Sequence, residues 1–262
     1  MKNIIFAITF SFTLIAQSQD CYVLSTTYST SDFSNLWLDK TFQGTIGNGN
    51  QRIEIRFLSI VQDVSAKLKY RVTGKSKVNK NICDFSGTIE LKEVYELDEN
   101  NLECEGPDFA KGYVIGTYSL KEDPTQNHVG TFNGSLKSKY ILSDGYIKKY
   151  RGWYVSQGVN DFIGTWKEYG DSKPKYCSWG LQIPPTQKND LFKHYDNEFY
   201  IFNAEFLDKG WRTYVVANLN SFISIPIDFE MNEARFSNDF DKSFTTEDID
   251  KAQEIEEAKW WK

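Results

Sequence analysis

Alternation of apolar and polar residues constrains the fold of this chain more than any other feature. Every second residue is apolar in 52–57, and the same alternation runs through 64–72. Because successive side chains of a strand point to opposite faces, a period of two predicts strands with one face on a core and the other in water. These two segments predict a hairpin with its turn near Gln62 and Asp63.

Further strand-like segments follow, separated by clusters of Gly, Asn, Asp and Pro. They are 88–96, 112–120, 129–142, 146–155 and 162–169. The Asp144-Gly145 pair is typical of a hairpin turn, since Gly readily adopts a positive φ. The connections are too short for crossover helices, so the sequence predicts an all-β fold in which an antiparallel meander closes into a small barrel.

A local pattern of Phe, any residue, Gly, Ser or Thr, and an apolar residue occurs four times. Its copies begin at Phe42, Phe85, Phe132 and Phe162. In a strand the Phe and the Gly share one face, and a Gly there leaves room for a neighbouring ring and lets the strand coil sharply. The alternative is chance recurrence in a Phe-rich chain. If these rings and Phe57 fill the barrel, no room remains inside for a small ligand.

The adjacent prolines Pro184 and Pro185 lie in a polar segment that breaks the strand pattern. We therefore expect a barrel-like domain over 19–183 and a smaller β region with a C-terminal helix over 184–262. In the second region, 198–207 and 211–219 predict a hairpin across 208–210, and 222–229, interrupted by Pro226, predicts an edge strand.

The last segment, 246–262, is acidic and has helical propensity, with Thr246 as its predicted N-cap. Ile249, Ala252 and Ile255 give it a thin apolar stripe. We expect Trp260 and Trp261 to dock this helix onto the sheet, and a frayed acidic tail is the alternative.

Residues 1–18 have the pattern of a cleavable signal peptide. Lys2 precedes an apolar stretch from Ile4 to Ala16, and small residues favour cleavage after Ser18. An uncleaved anchor is disfavoured because the stretch is shorter than the ~20 residues that span a bilayer. A lipid anchor at Cys21 lacks the residues expected before it. We expect a secreted or periplasmic protein, with no transmembrane segment after removal of the leader.

The chain has four cysteines, and export would make them candidates for disulfide bonds. We expect Cys83 to pair with Cys104 across a hairpin and Cys21 to pair with Cys177. Free or partly paired thiols are the alternative. No Cys/His spacing typical of structural zinc is present.

The glycine-aromatic strands, the Gly164-Thr165-Trp166 sequence and the predicted export together resemble the small barrels of the avidin and lipocalin superfamily. The resemblance covers at most 42–169 and implies a barrel whose mouth or surface binds a ligand. It assigns no binding residue.

The net charge of -6 argues against binding to nucleic acid or to anionic lipid surfaces. No nucleophile elbow, phosphate loop, zincin helix or calcium loop is present. His194, Asp196 and Glu198 would share a strand face and are weak candidates for a metal or acid-base site, and a solvated strand edge or loop is the favoured alternative.

Aromatic residues make up 16% of the chain and can stack on sugars or line an apolar pocket. We select Trp153 and Trp179 as candidate ligand-binding residues because each lies beside a glycine in a turn-like setting. Core packing is the alternative explanation.

These observations favour an exported, non-catalytic β-barrel binding module for a small apolar molecule, a glycan or a protein, with no cofactor. A first alternative is an exported, glycan-directed hydrolase that uses carboxylates from the region after 183. A second is a structural or interaction protein of the envelope.

Overall fold

The computed structural model describes residues 21–98, 110–150, 160–171, 173–181, 191–195, 199–218 and 244–262, with backbone only for 192–195 and 199–201. The strands of these residues follow in chain order. They are β1 (Tyr22–Leu24), β2 (Thr41–Ile46), β3 (Gln51–Gln62), β4 (Lys69–Val78), β5 (Asn81–Leu97), β6 (Gly112–Glu122), β7 (Gly130–Ser143), β8 (Tyr146–Lys149), β9 (Asn160–Glu168), β10 (Lys175–Gly180), β11 (Phe192–Tyr195) and β12 (Phe199–Phe202). The helices are α1 (Arg212–Ala217), α2 (Thr246–Glu257) and two 3-10 helices, Ser34–Leu36 and Ala204–Lys209.

Eight of the strands form a closed antiparallel barrel, which confirms the predicted fold class. Strands β2 to β7 pair in chain order, β9 pairs with β7, and β10 pairs with both β9 and β2, where Ser178 lies opposite Thr45. Strands β1 and β8 are additions that pair with the far ends of β5 and β7. A meander of this kind needs only short connections, as the spacing of the segments predicted.

Aromatic rings fill the middle of the barrel. Phe42, Phe57, Phe85, Phe132 and Phe162 are all buried. Their rings contact one another and the indole of Trp179, which stacks on Phe162 with a centroid separation of 5.3 Å. The inward-facing side chains therefore form a packed core. They leave no open space in the middle of the barrel for a deeply bound small ligand.

The glycines of the repeated pattern allow neighbouring strands to approach closely. Gly134 and Gly164 lie opposite each other on β7 and β9. A Cβ on Gly164 would lie 2.1 Å from the carbonyl oxygen of Asn133 and 2.7 Å from the Cα of Gly134. Only glycine fits this contact, so the glycines of the pattern are the residues that allow the barrel strands to coil.

One end of the barrel is closed by the segment that precedes β2. The indole Nε1 of Trp37 donates to Ser138 Oγ at 2.9 Å, and the backbone N–H of Phe33 donates to the hydroxyl of Tyr70 at 3.1 Å. The Trp37 and Tyr70 rings meet edge to face at 5.8 Å. We call the opposite end, where the β2–β3, β4–β5, β6–β7 and β9–β10 turns lie, the mouth.

The first predicted hairpin is present, with a longer turn than expected. The turn begins after Gln62, but β4 starts at Lys69, so Val64 and Ala66 lie in the turn and not in the strand. The carboxylate of Asp63 accepts hydrogen bonds from the backbone N–H groups of Ser65 and Ala66, which stabilises the turn against strand pairing.

The predicted hairpin across 208–210 is wrong. Strand β12 ends at Phe202, and the chain continues into the 3-10 helix Ala204–Lys209 and then α1. The side chain of Asn203 caps the first helix by accepting from the backbone N–H of Glu205, and Gly210 ends it with a φ of +86°. The observed hairpin is β11–β12. The predicted strand 222–229 and the predicted boundary at 183–190 lie outside the described residues.

The predicted C-terminal helix is present, with its N-cap at Thr245 instead of Thr246. Thr245 Oγ1 accepts from the backbone N–H of Asp248, whose carboxylate accepts from the backbone N–H of Thr245. After α2, the ring of Trp261 lies 4.3 Å from the guanidinium carbon of Arg56 on β3. Trp260 lies 5.4 Å from the Lys77 ammonium on β4, so both rings contact the barrel wall. None of the helices in the described ranges is long and apolar enough to cross a membrane.

A second apolar cluster packs beside the barrel. It consists of Leu191, Phe202, Leu207, Trp211, Val215, Val216 and Ala252. Arg52, an outward residue of β3 with 6% of its surface exposed, forms a bidentate ion pair with Glu256 of α2 at 2.8 and 2.5 Å. The indole of Trp211 donates to the carbonyl of Asn50 at 2.9 Å. These contacts fix the C-terminal region against the outer barrel face.

Candidate functional site

A cavity of about 410 Å³ opens at the mouth of the barrel. Its apolar wall comes from five inward residues near the strand ends, Ile46, Ile53, Val78, Phe132 and Trp166. Its polar lining includes Lys80, His128 and Lys175, which come from the turns and from the first residue of β10. An apolar concave surface with a few polar groups, of roughly 300–1,000 Å³, is typical of small-molecule sites.

Glu122, the last residue of β6, lies in the wall of this cavity with only 4% of its surface exposed. Ser76 Oγ donates to its Oε1. Its Oε2 accepts from the backbone N–H of Gly130 and from Trp166 Nε1, both at 2.8 Å. These donors come from β4, β7 and β9, so one carboxylate connects four strands around the mouth.

Burial raises the pKa of Glu122, and the hydrogen bonds from Ser76, Trp166 and Gly130 oppose that rise. No lysine, arginine or histidine of the described residues forms an ion pair with it. A buried carboxylate is tolerated when its lone pairs are satisfied, and three donors achieve most of that here.

Sequence reasoning missed Glu122, although a signal exists. Tyr118, Leu120 and Glu122 occupy alternate positions of β6, and the first two are buried inside the barrel. A carboxylate at an inward-facing position of a strand is unusual. It indicates a residue that residues from elsewhere in the chain stabilise by hydrogen bonds or charge.

The lysines at the rim differ from Glu122 in their surroundings. Lys80 and Lys175 are exposed, and neither forms an ion pair within the part of the chain that the structure describes. The Lys175 ammonium lies 5.0 Å from the centroid of Trp166. His128, in the β6–β7 turn, has Nδ1 3.6 Å from a carboxylate oxygen of Glu168.

Two cysteines lie near the mouth as free thiols, so both predicted disulfide pairings are wrong. Cys83 and Cys177 are buried and unbridged. Burial, followed by the charge of Glu122, raises the pKa of Cys83 to about 11, and the same two causes hold the pKa of Cys177 well above its ordinary value. Neither is poised as a nucleophile, because the thiolate is the reactive form.

The barrel topology explains why those pairings fail. Strand β5 carries the chain from Cys83 at the mouth to Leu97 at the opposite end before the segment with Cys104 begins. Cys21 lies at that opposite end, where its carbonyl accepts from the backbone N–H of Asp98 at 2.9 Å. Cys177, opposite Ile46, lies towards the mouth.

The structure places the other predicted site residues apart from the cavity or outside its described part. Trp179 is fully buried in the barrel core between Phe162 and Tyr118, so packing accounts for it and it offers no exposed face to a ligand. His194 lies in β11 opposite Tyr200. Trp153, Asp196 and Glu198 lie outside the described residues, among which no cluster of His, Cys, Asp and Glu could hold a metal ion.

Comparison with known proteins gives no assignment, because no family model, curated protein or solved structure matches the chain. The functional argument therefore depends on the geometry of the mouth.

Proposed function

We propose that the protein is a non-catalytic binding module whose barrel mouth takes a small, largely apolar molecule. The observation that carries this proposal is the cavity of about 410 Å³ with an apolar wall, in a barrel that is otherwise filled. Close packing is the rule inside proteins, so a cavity of this size at one end is a departure that ligand binding explains.

The packed phenylalanines limit the depth of binding. Because Phe57 and Phe162 occupy the middle of the barrel, a ligand can enter only as far as Ile53 and Phe132. The proposal is therefore a shallow site at the mouth, and a ligand enclosed along the barrel axis is excluded by the core.

Binding is favoured over the glycan-directed hydrolase because such an enzyme requires two carboxylates placed across a cleft. Of the described residues that line the mouth cavity, only Glu122 carries a carboxylate, and it is held by three donors. A structural or interaction protein of the envelope would bind its partner through the outer faces of the fold. That hypothesis does not explain the cavity.

We further propose that residues 1–18 direct export and are removed after Ser18, and that the resemblance to avidin and lipocalin barrels reflects a shared mode of ligand capture at a barrel mouth. Sequencing the N-terminus of the protein recovered from an expressing host tests the first point. A mature chain that still begins at Met1 would overturn it.

The binding site is tested by filling the cavity. Val78 is half-buried and lines it, whereas Val61 is half-exposed on the outer face of β3. With the neutral, apolar dye Nile red as the probe, we expect Val78→Trp to weaken binding at least roughly tenfold, the loss of about 1.4 kcal/mol of apolar contact. The matched control Val61→Trp should bind as the wild type does.

Circular dichroism and urea unfolding of both variants establish that they remain folded. Wild-type protein that fails to bind Nile red and other neutral apolar dyes, or Val78→Trp protein that binds them normally, would overturn the assignment of the site to the mouth.

A further inference from the structure

The charged groups of the mouth are separated by depth. The carboxylate of Glu122 lies in the wall with 4% of the residue exposed, and the ammonium groups of Lys80 and Lys175 belong to exposed residues around the opening. Lys80 lies in the β4–β5 turn and Lys175 begins β10, so the two approach the opening from different strands.

The inner charge is already satisfied by the protein. Ser76, Gly130 and Trp166 together supply three hydrogen bonds to Glu122, so the site does not require a cationic ligand to compensate it. Its negative charge in a poorly solvated wall also repels any anionic group that moves past the rim.

The outer charges are not satisfied in the same way. Within the described ranges, neither Lys80 nor Lys175 contacts a carboxylate. Lys175 lies over the face of Trp166, whose Nε1 donates to Glu122, so a single indole separates the inner negative charge from the outer positive one.

From this arrangement we infer that the ligand is an anionic amphiphile, held with its apolar body against Ile53, Val78 and Trp166 and its anionic group at Lys80 and Lys175. This inference rests on the proposed function. A cationic amphiphile would meet both lysines at the opening, and a neutral one would gain nothing from them. The anionic one gains from the rim and is oriented by Glu122, which keeps its charged end outward.

Three ligands that share one alkyl chain separate these cases: decanoate, decanol and decylammonium. Displacement of Nile red from the wild-type protein gives their relative affinities. If each of the two lysines forms an ion pair of the strength usual at a protein surface, decanoate should bind roughly two- to thirtyfold more tightly than decanol. The advantage should shrink in high salt, since salt screens exposed charges.

The lysines are tested by the double variant Lys80→Gln/Lys175→Gln. It should lose the preference for decanoate and keep the affinity for decanol, because neither substitution alters the apolar wall. The control is Lys167→Gln, which removes one lysine charge, against two in the double variant, from an exposed residue of β9 that lies outside the cavity lining.

The outcomes distinguish the two proposals. If none of the three ligands binds, the proposed function fails. If decanol binds as tightly as decanoate, if decylammonium binds most tightly, or if the double variant keeps the decanoate preference, the mouth remains a binding site but the anionic amphiphile is refuted as its ligand class.

Discussion

Replacement of Glu256 should separate the C-terminal helix from the barrel more effectively than any other single change in α2. Glu256 receives both Nη groups of Arg52 at 2.8 and 2.5 Å and the hydroxyl of Thr213 at 2.5 Å. Arg52 has 6% of its surface exposed and lies over the rings of Trp211 and Tyr214. Removal of the Glu256 carboxylate therefore leaves the Arg52 guanidinium with little access to solvent.

Removing one partner of a buried ion pair costs about 3–5 kcal/mol, because an uncompensated charge remains. Three contacts moderate that cost here: Glu54 lies 3.6 Å from the guanidinium of Arg52, Gln43 accepts from its Nε at 2.9 Å, and the carbonyl of Gly210 accepts from its Nη1 at 3.3 Å. We therefore expect Glu256→Ala to lower the free energy of unfolding by about 2–3 kcal/mol. Glu256→Gln, which keeps an oxygen acceptor, should cost about 1–2 kcal/mol.

The effect should depend on pH in a definite direction. Burial raises the pKa of Glu256, but the hydrogen bonds and charge of Arg52, with the Thr213 bond, outweigh burial and leave the pKa below its ordinary value. A depressed folded-state pKa contributes stability above the unfolded value of about 4.3, and this stability is lost as the pH falls through the folded value. The difference between wild type and Glu256→Gln should therefore be full near neutral pH and shrink below about pH 4.

Urea unfolding, followed by tryptophan fluorescence between pH 3 and 7, measures both the size and the pH dependence of the effect. Glu254→Gln is the matched control, because Glu254 is an exposed residue of the same helix without an ion pair among the described residues. It should change stability by less than about 0.5 kcal/mol. Equal effects of the two substitutions, or a Glu256→Gln effect that grows in acid, would refute the reasoning.

Three further predictions concern the barrel itself. Glu122→Leu should lower the free energy of unfolding in urea by about 2–4 kcal/mol, because it leaves buried donors without an acceptor, and a Leu variant as stable as wild type would contradict this. Glu122→Gln should be tolerated. Because the folded-state pKa of Glu122 is raised, the wild type should lose stability as the pH rises above about 4.3, and the Gln variant should not show this loss. Trp37→Phe should lower the free energy of unfolding by about 1–3 kcal/mol, because it leaves the hydroxyl of Ser138 unpaired at the closed end of the barrel. An unchanged urea midpoint would count against a stabilising role for the segment that closes this end. Cys83 and Cys177 are buried thiols, so they should resist alkylation in the native protein and react once it is unfolded without reductant; rapid native alkylation would refute this. Cys21 is disulfide-bonded, so peptide mapping without reductant should find it joined to another cysteine, and four free thiols would count against it.

The barrel could be predicted from the sequence because its strands report their own burial. Over 53–57 of β3 and 114–120 of β6 every inward residue is apolar or glycine, and the glycines that permit coiling recur at fixed places within the pattern. Such information is local, since each strand shows a period of two without reference to its neighbours.

The region after β12 could not be predicted in the same way. The aromatic and β-branched residues of 211–219 predict a strand, yet Arg212–Ala217 form a helix whose buried residues, Val215 and Val216, are adjacent in the chain. Their burial depends on packing against Ala252 and its neighbours, far along the sequence. Short segments of this kind have their structure decided by tertiary contacts.

The candidate site was hidden from the sequence because its members meet only when the barrel closes. Ser76, Glu122 and Trp166 lie on three strands, and nothing local to any of them indicates the others. The same holds for the thiols: hairpin spacing suggested that Cys83 pairs with Cys104, but Cys83 is a free thiol, and β5 carries the chain from it to the opposite end of the barrel at Leu97.

Trp166 connects the stability of the barrel to its proposed function. Its ring packs near Phe132 at 6.5 Å, its Nε1 donates to Glu122 at 2.8 Å and its face receives Lys175 at 5.0 Å. A substitution there removes core packing, a buried hydrogen bond and part of the cavity wall together, so loss of binding by a Trp166 variant would not distinguish a ligand contact from a loosened mouth. Val78 and Lys80 line the same cavity without belonging to that hydrogen-bonded network, which makes them the residues at which binding can be altered while the fold is kept.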